Sequence, residues 1–204
     1  MTGGGNINDA LAFITAQDPD FARALPLIKP LPDRGRPAGF EQQVSLASAE
    51  AIWKRLSEAV APFTPEMMVT FDEDGLRSLG LSRQKARYCR ALAMDIVEGR
   101  LLLDRLHEEE DAAVLEQLTQ VKGIGRWTAE IYMISCLGRA DVWPAGDIAL
   151  QNALGHLKNL PQRPDAKAMD LLGEPLRPHR TLAARILWRY YADVVQAATR
   201  KSGK

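Results

Sequence analysis

Cysteine is scarce in this chain: among 204 residues there are two, Cys89 and Cys136. They lie far apart and outside any C-x-x-C spacing, which argues against a disulfide scaffold, a cysteine-rich zinc site and a four-cysteine iron–sulfur cluster. Long apolar runs are missing as well; none approaches the ~20 residues that a membrane helix needs. The first residues, Met1-Thr2-Gly3-Gly4-Gly5, lack the basic and apolar layout of a signal peptide. The expected setting is therefore intracellular and reducing, with no membrane partner. There is no net charge either: 26 basic residues balance 26 acidic ones, so composition alone gives no nucleic-acid signal. Finally, no stretch alternates with the period of two that marks a half-buried strand.

What is present is helical periodicity and an uneven spread of charge. Hydrophobic residues make up 46% of the chain, enough for a sizeable core. Residues 7–17 and 20–28 read as short helices, and 29–38, with Pro30, Pro32 and Pro37, as a loop. A helix is expected over 40–60, where Val44, Ala47, Ala51, Ile52 and Leu56 share one face. Thr64-Pro65-Glu66 and Ser82 are helix starts, the first with proline at its opening position. Ser82 to Val97 is a long helix with a Tyr88, Leu92 and Ile96 stripe. Further helices are expected over 109–118, 126–137, 147–156, 166–172 and 179–199. The expected class is all-α, without repeats. Basic residues gather in two places. Arg177 to Lys204 carries Arg177, Arg180, Arg185, Arg189, Arg200, Lys201 and Lys204 against one acid, Asp193. Ser82 to Arg90 carries Arg83, Lys85, Arg87 and Arg90 against none. Such segments suit a polyanion, but solvated helix faces read the same way.

The most informative run is Leu118-Thr119-Gln120-Val121-Lys122-Gly123-Ile124-Gly125-Arg126-Trp127-Thr128-Ala129. It reads as a helix, a tight Gly-x-Gly turn and a second helix. Glycines permit positive φ and a close approach of backbone to another molecule. The second helix opens with N–H groups and a partial positive charge, which suit a phosphate. Thr128 can add a hydroxyl, and Lys122 a surface or phosphate contact. The carbonyls of Thr119, Val121 and Ile124 are candidates to hold a monovalent cation, Na+ or K+, beside that phosphate; no other cofactor is called for. A purely structural helical hairpin would look alike. Trp143-Pro144-Ala145-Gly146-Asp147 then places an aspartate 22 residues after Gly125. Aspartate at a helix start is also a good N-cap.

Together these segments resemble the helix–hairpin–helix DNA glycosylase superfamily, which carries a Gly/Pro-rich loop and an aspartate after its hairpin. Phe40-Glu41-Gln42-Gln43-Val44-Ser45 and Leu79-Gly80-Leu81-Ser82 with Lys85-Ala86 are similar to other family segments. The resemblance covers roughly residues 39 to 195, and its nearest branch is the 3-methyladenine DNA glycosylase II type. It implies two helical lobes with the active-site cleft between them: 39–146 as one lobe with the hairpin at 118–129, 147–204 as the other, and 1–38 as an arm packing with the latter. It implies a monomer acting on double-stranded DNA that contains damaged bases, in base excision repair. Asp147 becomes the catalytic residue, assisting hydrolysis of the flipped nucleotide's glycosidic bond. A base alkylated at a ring nitrogen is already a cationic leaving group, so one carboxylate suffices, unlike the pair used on ordinary glycosides.

The same resemblance assigns the surroundings. Relatives that also cleave the strand have a Schiff-base lysine two residues after the second hairpin glycine; here that residue is Trp127, so base removal without strand cleavage is expected. Trp127, Trp143, Tyr132 and His179 are candidates for the base pocket, where a π face attracts cationic character; each tryptophan also reads as ordinary core. Gln42 and Gln43 are candidates to fill the gap left by the flipped nucleotide, Gln43 fitting the wedge position better. Both also read as polar residues at a helix start. Two other functions compete: a non-enzymatic helix–hairpin–helix DNA-binding protein, and a glycosylase for mismatched or oxidised bases.

Overall fold

The structure, a computed structural model, describes residues 7–31 and 46–198. Every regular element among them is helical. The chain contacts divide into two compact units: Glu41–Ala129 forms one, and Met1–Phe40 with Glu130–Lys204 forms the other. The second boundary therefore falls after Ala129 rather than at 146. The reason is packing: Ile131, Ile134, Trp143 and Ala145 join the same core as the C-terminal helices.

Within the 41–129 unit lie α3 (Leu46–Ala59), α4 (Pro65–Val69), α5 (Glu73–Ser78), α6 (Arg83–Val97) and α7 (Asp111–Gln120). Three of these start as their sequences dictate. The N–H of Met67 donates to Thr64 Oγ1, that of Gly75 to Asp72 Oδ1 and that of Lys85 to Ser82 Oγ. Each bond satisfies a donor that the first helical turn leaves without an intrahelical partner. The core is built from Leu56, Val60, Met68, Leu76, Ala86 and Ala93. On α6 the buried positions are Ala86 and Ala93, two turns apart. Their small side chains let the short α4 and α5 lie close against α6. Tyr88, Leu92 and Ile96, the stripe read along this helix, are half-buried, and Tyr88 serves the hairpin described below.

The other unit gathers α1 (Ile7–Gln17), α2 (Pro19–Ala24), α9 (Ile148–Leu157), α10 (Ala166–Gly173) and α11 (Arg180–Tyr190). The remaining helix, α8 (Arg126–Ser135), contains the division between the units. Leu150, Ala153, Leu154 and Leu157 give α9 one apolar stripe. In α11, Ala183, Ala184, Ile186, Leu187, Trp188 and Tyr190 are all buried, so this helix is enclosed on most sides. α1 and α2 reach it from the far end of the sequence: Ile14 and Phe21 are fully buried in the shared core. An ionic clasp ties α2 to the end of α9. Lys158 Nζ lies 2.6 Å from Asp18 Oδ2 and 3.0 Å from Asp20 Oδ2, and Arg23 Nη2 donates to the Leu157 carbonyl. Burial pulls the Lys158 ammonium down, but its bonds to the two carboxylates outweigh that, and its pKa is raised. The helix expected over 179–199 ends at Tyr190 and continues as a wider π turn, Tyr191–Val195.

Candidate active site

The hairpin belongs to the 41–129 unit as far as Ala129. α7 ends at Gln120, where the Val121 N–H bonds back to the Leu118 carbonyl and the Ile124 N–H bonds to the Val121 carbonyl. The turn so formed holds Gly123 at φ +95°, in the region that favours glycine. An ideal Cβ at Gly123 would lie 2.1 Å from the ring of Tyr88. The phenol is steadied in turn by Gln84, whose Nε2 donates to Tyr88 Oη at 2.9 Å. Gly125 differs. A Cβ there meets nothing within 4 Å, and its carbonyl accepts the Ala129 N–H to open α8. Gly123 is thus required by the fold, whereas Gly125 leaves the outer side of the turn bare. Lys122, Gly125 and Thr128 are exposed, and Trp127 is half-buried. The Thr119 hydroxyl is used locally, donating to the carbonyls of Leu115 and Glu116. The Val121 carbonyl, although bonded to Ile124, keeps a second lone pair.

Asp147 stands in the other unit. It caps α9: its Oδ1 accepts the Leu150 N–H at 2.9 Å, and its own N–H donates to the Pro144 carbonyl. The side chain is buried, at 8% exposure, while its neighbours Gly146 and Ile148 are exposed. The loop leading to it, 139–146, is fixed along its length. Thr181 Oγ1 donates to the Arg139 carbonyl and accepts the Val142 N–H. Asp141 takes a two-pronged grip from Arg180, Nε on Oδ1 at 2.8 Å and Nη2 on Oδ2 at 3.0 Å, with Arg177 Nη1 also on Oδ2. Such forks fix geometry as well as contributing energy. The Arg177 guanidinium is pushed up, first by its bond to Glu174 and further by Asp141. Nearer the aspartate, Gln151 Nε2 donates to the Ala145 carbonyl at 2.9 Å, a buried bond.

Two expected pocket residues need correction or refinement. Trp143 is 3% exposed and lies in the core. Its indole N–H donates to the Met169 carbonyl at 2.8 Å, and Gly173 makes room for the ring, since a Cβ there would come within 2.6 Å of Nε1. It is a structural residue, not a wall of an open pocket. His179 precedes α11 and sets its imidazole edge-on to Phe13, centroids 5.2 Å apart. Tyr132 is half-buried on α8. Gln42 and Gln43 lie outside the described residues. Sequence reasoning missed the support around the site: Tyr88 beneath the hairpin, and Asp141, Arg180, Thr181 and Gln151 around the loop. A weak signal existed for Gln151, a polar residue one turn after Asp147 in a helix whose other inward positions are apolar.

This chain matches the family model of the HhH-GPD superfamily base excision DNA repair protein over residues 40–178. It belongs to that superfamily. Among HhH-GPD relatives, it is 35% identical over 155 residues to DNA-3-methyladenine glycosylase 1 of Schizosaccharomyces pombe, with 72% of this chain and 67% of the relative covered. It is 33% identical to a putative DNA-3-methyladenine glycosylase of Bacillus subtilis, covering 74% of this chain and 55% of that one. The chain thus spans between about half and two thirds of the length of these curated relatives. Of solved HhH-GPD structures, the Bacillus halodurans DNA-3-methyladenine glycosidase superposes with a TM-score of 0.78 at 30% identity, covering 92% of this chain and 91% of that one. The Schizosaccharomyces pombe 3-methyladenine DNA glycosylase in complex with abasic DNA gives 0.75 at 27%, covering 88% and 95%. The all-helical architecture is that of the superfamily. No helix among the described residues is long and apolar enough to cross a membrane.

Proposed function

We propose that this chain is a DNA N-glycosylase that removes alkylated, 3-methyladenine-like bases and leaves an abasic site. The observation that carries the reading is Asp147: a buried carboxylate, capped into the start of α9 and held by a braced loop, in a member of a base excision repair superfamily whose similar proteins are 3-methyladenine glycosylases. In the proposed reaction the bond between the anomeric carbon and the base nitrogen breaks. The electron pair leaves with the base, which its alkyl group has already made cationic, so departure needs little acid assistance. Positive charge then builds on the sugar, where the Asp147 carboxylate offsets it, orients the water that adds to the anomeric carbon and takes the proton that this water gives up. A helix N-terminus favours the negative charge this requires.

The partner is double-stranded DNA carrying the damaged base, bound by one copy of the protein inside the cell. The bare side of the hairpin at Gly125, the first turn of α8, Thr128 and Lys122 would take a backbone phosphate. A monovalent cation on the Thr119, Val121 and Ile124 carbonyls would add charge to that anchor. Trp127, Tyr132 and His179 are proposed to meet the flipped base, and Gln42 or Gln43 to fill the space it vacates.

The test is Asp147→Asn. Asparagine still caps a helix, so folding is kept while the charge is lost. Excision of methylated bases in single-turnover conditions should nearly vanish, and affinity for abasic-site DNA should stay within a few-fold. Near-normal release would overturn the assignment of Asp147, and an absence of release by the unmodified protein with DNA binding kept would favour a non-enzymatic DNA-binding role for the same fold.

A further inference from the structure

Gln151 is a buried polar side chain in the middle of an apolar helix. It is 7% exposed, and the other buried positions of α9 are Leu150, Ala153, Leu154, Gly155 and Leu157. A buried amide costs free energy unless its polar atoms are bonded, so something at this position rewards glutamine over leucine. The structure supplies the reason. Gln151 lies four residues after Asp147, on the same helix face. Its backbone N–H donates to the Asp147 carbonyl at 2.9 Å, and its Nε2 donates to the Ala145 carbonyl at 2.9 Å. One residue therefore grips the turn on both sides of Gly146. That glycine is exposed, and no heavy atom outside its own neighbours lies within 4 Å of where its Cβ would stand. The turn thus gains no side-chain packing at the residue just before the aspartate, and the Gln151 grip takes its place.

We infer that Gln151 is a positioning residue for Asp147: it sets the angle at which the carboxylate leaves the Pro144-Ala145-Gly146 turn. The inference rests on the catalytic reading of Asp147. A carboxylate that must offset charge at one carbon is sensitive to small displacements, because preorganised electrostatics loses its value when the charge is moved or allowed to wander. Gln151 touches no reacting atom and acts through the aspartate alone.

The experiment compares Gln151→Leu, Asp147→Asn and the double variant. The readouts are single-turnover base release from duplex DNA methylated with dimethyl sulfate, affinity for abasic-site duplex, and thermal unfolding. Gln151→Leu should slow release by about 10- to 100-fold and leave abasic-site affinity within two-fold. In the Asp147→Asn background the same change should remove almost nothing further, because the group it positions is already disabled. A second variant guards against loss of folding. Gln151→Glu keeps the shape, cannot donate to the Ala145 carbonyl while ionised, and regains an O–H donor when protonated. Its release rate relative to the unmodified protein should therefore recover as pH falls, at constant circular dichroism.

Unimpaired release by folded Gln151→Leu beside an inactive Asp147→Asn would overturn the role of Gln151 alone. So would an equal loss in both backgrounds, or a loss that follows the unfolded fraction. Near-normal release by Asp147→Asn would overturn the catalytic reading, and the positioning role with it.

Discussion

The ring of Tyr88 fills the space that a side chain at Gly123 would need: an ideal Cβ on that glycine would stand 2.1 Å from Cγ and 2.4 Å from both Cδ atoms. The hairpin turn is built directly onto α6, and its first glycine answers to the fold before it answers to any ligand.

Gly123→Ala should therefore destabilise the protein. Positive φ and the clash with the phenyl ring together cost about 3 kcal/mol, read as a fall in the urea midpoint at unchanged slope. In a Tyr88→Ala background the clash is gone and only the backbone part, about 1 kcal/mol, should remain. An equal penalty in both backgrounds would mean that the ring is not what confines Gly123.

Gly125→Ala should behave in the opposite way. Its Cβ enters open space, so unfolding should be unchanged or improved by up to about 1 kcal/mol. Affinity for damaged and undamaged duplexes should fall alike, because the added methyl would stand where the proposed phosphate contact is made. The check is binding to both duplexes at one fixed salt concentration; unchanged affinity for both removes the turn from the DNA interface.

Trp143→Phe should lose the buried bond to the Met169 carbonyl and part of the core packing, about 2 kcal/mol in all. The ratio of 3-methyladenine to 7-methylguanine released should not move, since the indole sits in the core. A shift in that ratio at unchanged stability would return Trp143 to the base pocket.

Base removal should leave the strand intact until alkali or heat is applied. Indole has no nucleophilic amine, and Trp127 holds the position where strand-cleaving relatives have a lysine. Borohydride trapping on a substrate the protein processes should yield no covalent adduct. An efficient adduct lost in Lys122→Ala would assign the chemistry to that lysine instead.

Much of this was legible in the sequence because it depends on neighbours along the chain. The caps at Thr64 and Ser82, the Gly-x-Gly turn and the aspartate opening α9 are all local signals, and the structure has each where the pattern put it. What the sequence hid depends on residues far apart. Trp143 looks like a stacking platform until Gly173, at the end of α10, is seen to make a slot for it. Tyr88 looks like one member of a helical stripe until Gly123 is found resting on it. The boundary at 129 rather than 146 was hidden for the same reason, since the residues between them pack against helices that come later. Periodicity reports that a residue is apolar on a face; it does not report which face across the fold receives it.

The unit that carries Asp147 is discontinuous: Met1–Phe40 joins Glu130–Lys204 around the uninterrupted Glu41–Ala129. During synthesis the continuous unit has all its parts as soon as the ribosome has passed α7 and the turn. α1 and α2 emerge before that unit but must wait for α9 and α11, which supply the seats for Ile14 and Phe21 and the lysine that Asp18 and Asp20 grip. Folding should run in that order, the Gly-x-Gly turn forming on the nascent chain and the aspartate's surroundings closing only once α11 has been made.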